Sequence, residues 1–67
     1  MRVGLYDEAI ETATECIRVA PDHSDGYLFL GLAQCLKGEK EEGLKQLKKA
    51  RELGDPQADG LIEKYSK

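Results

Sequence analysis

The side chains best equipped for chemistry in this sequence are few: His23, Cys16, Cys35 and the carboxylate pair Glu41-Glu42. A cysteine beside a histidine is the raw material of a nucleophile, and two cysteines with a histidine supply three zinc ligands. The spacing favours neither. Cys16 and Cys35 stand 19 positions apart with no C-x-x-C pair, and His23 lies in the turn-forming run Pro21-Asp22-His23-Ser24. One disulfide is open, a disulfide-built scaffold is not, and a reducing, cytoplasmic setting suits two cysteines acting as small buried hydrophobes. Glu41 and Glu42 belong to a charged helical stretch with no sign of acid–base use. Gly4, Gly38 and Gly54 each mark a helix end rather than a phosphate-cradling loop. The expectation is therefore no catalytic residue, no metal ligand, no cofactor and no enzyme. A catalytic or metal-binding domain is kept as the third and weakest reading.

Sixty-seven residues make one small domain or a piece of a larger protein. A core of that size is marginal without a partner or very regular packing. The net charge of −3 is unevenly spread: residues 1–33 carry two basic and six acidic side chains, and residues 34–67 carry eight basic and seven acidic. An acidic total disfavours nucleic acid as a partner. The longest near-apolar run, Tyr27 to Cys35, falls far short of the roughly 18 residues a membrane helix needs, so no membrane partner is expected. Nor does a long apolar stretch follow Met1, as a secretory signal would require.

Four helices are expected. Tyr6, Ala9, Ile10, Ala13, Cys16, Ile17 and Ala20 recur in steps of three and one, which draws one stripe on a helix over about 4–20. Asp7 and Glu8 then fall in its first turn, where the helix dipole favours them, and Pro21 stops it. Asp22 or Ser24 is placed to cap a second helix over 24–37. Gly38 ends that helix in a left-handed conformation. A third runs from Lys40 to Leu53 along Leu44, Leu47, Ala50 and Leu53, with Glu41–Lys45 and Lys48–Glu52 as i,i+4 pairs. Gly54 closes it. Asp55-Pro56 opens the last helix, with Asp as N-cap and Pro at the first helical position, and Ala58, Leu61, Ile62 and Tyr65 give it an apolar stripe. Nothing alternates with period two, so no strand is expected and the fold class is all-α.

Shifted against itself by 34 residues, the chain pairs Gly4 with Gly38, Glu8 with Glu42, Asp25 with Asp59 and Gly26 with Gly60. Ile10/Leu44, Val19/Leu53, Tyr27/Leu61 and Leu28/Ile62 are conservative pairs in the same register. A helix–turn–helix period of 34 resembles the tetratricopeptide repeat. Its W-x2-L-G-x2-Y block is matched by Tyr27-x2-Leu30-Gly31-x2-Gln34, with Tyr for Trp and Gln for Tyr. Its A-x3-F block is met loosely by Ala9-x3-Ala13 and Gly43-x3-Leu47, and Pro21 stands where the pattern has its proline. Pro56 comes one residue late, and the Gly54–Ala58 join is similar to Sel1-like repeats. The resemblance implies one tetratricopeptide-like α-solenoid domain over 1–67. About 4–20 would be the second helix of a partial repeat, 24–54 one full repeat, and 55–67 a C-terminal capping helix. Such a chain reads as a fragment or the end of a longer array. Independently, Gly31, Gly43, Ala50, Ala9 and Cys16 are small residues on expected buried stripes, which let helices approach closely.

The helix over 24–37 is apolar nearly all round. Such a helix is either buried on every side or offers a binding surface. In tetratricopeptide arrays the first helix of each repeat lines the concave groove. By that resemblance Asp25, Leu28, Phe29, Leu32, Cys35 and Leu36 are the candidate partner-binding residues. The basic cluster of the family's carboxylate clamp is missing there, which points to an apolar or amphipathic helical segment of another protein. The alternatives are self-association through the same face, as a homodimer or stacked array, and burial of that face on the chain's own helices. Lys45, Lys48, Lys49 and Arg51 make a basic run that reads first as a solvated outer face, because acidic residues interleave it.

Overall fold

The computed structural model describes residues 3–66 and consists of four helices: α1 (Val3–Val19), α2 (Ser24–Lys37), α3 (Lys40–Glu52) and α4 (Ala58–Tyr65). No strand occurs among the described residues. Short connections make consecutive helices antiparallel neighbours. At one end of the first pair, the Lys37 Nζ near the end of α2 donates to Asp7 Oδ1 in α1 at 2.6 Å. At the other end, Gly26 packs against Cys16 and Ile17. The whole is a slab 31 × 31 × 15 Å, about two helix layers thick at the usual spacing of about 8–10 Å.

The punctuation follows backbone chemistry. Gly38 (φ 106°) and Gly54 (φ 95°) take the left-handed conformation that side chains resist. Each closes its helix with the same pair of bonds. Gly38 and Glu39 donate to the carbonyls of Cys35 and Gln34 at 3.2 and 2.8 Å; Gly54 and Asp55 donate to those of Arg51 and Ala50 at 2.9 and 3.0 Å.

The helix starts differ from expectation. α1 begins at Val3, so Asp7 and Glu8 lie in its second turn and Asp7 bonds Lys37 instead. The extended residue before α2 is His23, which makes no side-chain cap. The Ser24 hydroxyl donates instead to Asp55 Oδ2 at 3.1 Å, across to the α3–α4 junction. Asp55 Oδ1 accepts from the Gln57 N–H at 2.8 Å, so this carboxylate does cap the Pro56-Gln57 turn, two residues before α4 proper. The surface ion pairs on α3 take i,i+3 spacing, Glu42–Lys45 at 3.6 Å and Lys49–Glu52 at 4.0 Å, rather than the i,i+4 pairs expected.

Asp55 is 7% exposed and holds two donors that come from different parts of the chain. Asp55→Ala is expected to cost about 1–3 kcal/mol, because the Ser24 hydroxyl and Gln57 amide lose their acceptor. Urea denaturation measures it, and Ser24→Ala is expected to give only part of that loss.

The core lies between α2, α3 and α4. Leu28, Leu47, Ala50 and Ala58 form its centre, with Leu47, Ala50 and Ala58 fully buried, and Tyr27, Leu44, Leu61, Ile62 and Tyr65 close around them. α2 and α3 cross at Gly31 and Gly43. A Cβ on Gly31 would stand 2.7 Å from the Gly43 carbonyl oxygen, and one on Gly43 would stand 2.6 Å from that of Gly31. Bare backbone on both sides is what permits this contact. It leaves α2 held against α3 by one face and against α1 by another.

Candidate interaction groove

With two faces of α2 occupied, its third face is open. The turn of 100° per residue decides which side chains it presents. Leu28, Gly31 and Cys35, at i, i+3 and i+7, face α3. Phe29, Leu32 and Leu36, at the same spacing one position on, face outward beside α1. Together with Ala33 they form one wall of a groove of about 460 Å³. The opposite wall comes from α1: Leu5, Tyr6, Ala9, Thr12, Ala13 and Cys16.

The groove is open and oily. Leu5 is 57% exposed, Phe29 56% and Leu36 42%. Fully burying a large aliphatic or aromatic side chain is worth about 1.5–3 kcal/mol, so covering the exposed half of these three is worth about 2–5 kcal/mol in all, before the costs of association. Thr12 is the one lining residue on α1 with an aliphatic hydroxyl, and Tyr6 brings a phenol. No acidic or basic residue lines the groove, so it selects for apolar surface.

Three of the six candidate residues, Phe29, Leu32 and Leu36, line this groove. Asp25 is exposed one turn before Phe29 on the same line of the helix, and it is not among the residues that line the groove. Leu28 is not on it. At 4% exposure it belongs to the core with Leu47 and Ala58, out of reach of any partner. Cys35 is half-buried on the α3 side and packs against the same core. The reason is geometric. Leu28, Leu32 and Leu36 are spaced i, i+4, i+8, a row that drifts around the helix by about 40° per step. It starts on the buried face and ends on the open one.

The α1 wall is absent from the sequence-based candidates. Its signal is present: small residues at Ala9 and Cys16, expected to be buried, are exposed in the groove instead. Both cysteines are free thiols. Burial pushes the Cys35 thiol above its ordinary range, and the nearby Lys40 pulls it partly back. Hydrogen bonding to Asp7 raises the Lys37 ammonium, with desolvation acting against it. That contact between α1 and α2 is therefore present below the ordinary lysine range, about 10.4, and is lost as pH rises past the raised value. Among the described residues no group of three or more His, Cys, Asp or Glu could hold a metal ion. No described helix is long and apolar enough to cross a membrane.

Antiparallel helices in a 34-residue helix–turn–helix period, with glycines at the α2–α3 crossing and a groove between α1 and α2, define a tetratricopeptide-like, all-α hairpin architecture. The sequence comparison agrees with that class. Over 61 residues, 90% of the chain, it is 33% identical to the Small glutamine-rich tetratricopeptide repeat-containing protein 2 of Saccharomyces cerevisiae. The chain spans 18% of that protein's length. The likeness supports a tetratricopeptide-repeat-like protein. No family model matches the chain, and no solved structure matches it significantly.

Proposed function

We propose that this chain is a protein–protein interaction module that takes an apolar or amphipathic helical segment of a partner into the α1/α2 groove. The reading has no chemistry of its own: the partner is protein or peptide, not nucleic acid or membrane, in the cytoplasm, and no cofactor takes part. The single observation that carries it is the oily, open wall of Phe29, Leu32 and Leu36 facing Leu5 and Ala9. In this reading α1 is the second helix of a partial repeat, α2 and α3 are one full repeat, and α4 is a cap. The resemblance of the chain to a repeat protein named for tetratricopeptide repeats supports an interaction role.

Self-association through the same wall is the second reading, favoured by the same exposed Phe29 and Leu36. Sedimentation of the protein and of Leu32→Glu separates the two. The first reading expects a monomer for both, with binding of an amphipathic helical peptide lost in the variant. A dimer that Leu32→Glu dissolves supports the second. A dimer whose affinity Leu32→Glu leaves unchanged contradicts the surface assignment altogether.

A further inference from the structure

We draw no further inference here: the strongest candidate, the apolar groove between α1 and α2 walled by Phe29, Leu36 and Ala9, belongs to the site already described, and nothing in the structure shows what covers it.

Discussion

Replacing Gly43 by alanine is expected to destabilise the fold by about 2–3 kcal/mol, although alanine is the better helix former. Helix propensity alone would favour the change by up to about 1 kcal/mol. The new Cβ, however, would stand 2.6 Å from the Gly31 carbonyl oxygen and 2.8 Å from the Cys35 backbone nitrogen. Both neighbours are backbone, so no rotamer change relieves them. α2 and α3 must separate, and with them the seating of Leu28 on Leu47. Overpacking of that kind costs about 1–3 kcal/mol and sometimes more. Gly31→Ala is expected to behave alike, its Cβ falling 2.7 Å from the Gly43 oxygen and 2.9 Å from the Leu47 nitrogen. Gly60→Ala is the control: nothing lies within 4 Å of its Cβ position, so the propensity gain stands alone and stability is expected to rise. For a domain of this size the glycine-crossing variants correspond to a drop of about 10 °C or more in Tm. Thermal melts followed by circular dichroism give all three signs in one series.

The second large effect separates two adjacent residues. Leu28→Ala is expected to cost about 2–5 kcal/mol, the range for a leucine removed from a packed core. Phe29→Ala, one position further along, is expected to change stability by no more than about 0.5 kcal/mol, since its ring is more than half exposed and its loss opens no cavity. The order reverses for binding. Phe29→Ala is expected to abolish most of the affinity for an amphipathic helical peptide. A conservative Leu28→Met, which keeps the core filled, is expected to leave that affinity alone. Denaturation midpoints and peptide titrations on these variants place the inner and outer faces of α2 by energetics alone.

The contrast between Leu28 and Phe29 also marks where sequence reasoning stops. The four helices are legible because each has a periodic apolar stripe, and the first three have a defined stop: Pro21, Gly38 and Gly54 are chemically obliged to interrupt a helix or reverse its φ. The Gly31–Gly43 approach is legible too, because glycines on facing apolar stripes remove the side chains that would otherwise hold two helix backbones apart. The division of labour around α2 is not. A helix apolar on nearly every side gives no internal clue to which stripe meets α3, which meets α1 and which stays open. That is fixed by the α2–α3 crossing at the glycines, a relation between distant residues. Leu28 and Cys35 therefore read as groove residues in the sequence and are core-packing residues in the fold. The α1 wall is hidden because Ala9 and Cys16 are small, and small residues on a stripe read as buried. The Ser24–Asp55 bond is similarly hidden: each residue taken alone looks like a local cap, and only the folded chain brings them together.

The most direct test of the groove is the alkylation rate of Cys16, which lines it, with Cys35 on the α3-facing side of α2 as the internal comparison. In the free protein Cys16 is expected to react several-fold faster than Cys35, which is half-buried and whose thiol burial holds in its protonated form. Saturating amphipathic helical peptide is expected to slow Cys16 several-fold while leaving Cys35 at its original rate. Unchanged Cys16 reactivity under a peptide that anisotropy shows to be bound, or protection of Cys35 instead, would place the partner somewhere other than between α1 and α2.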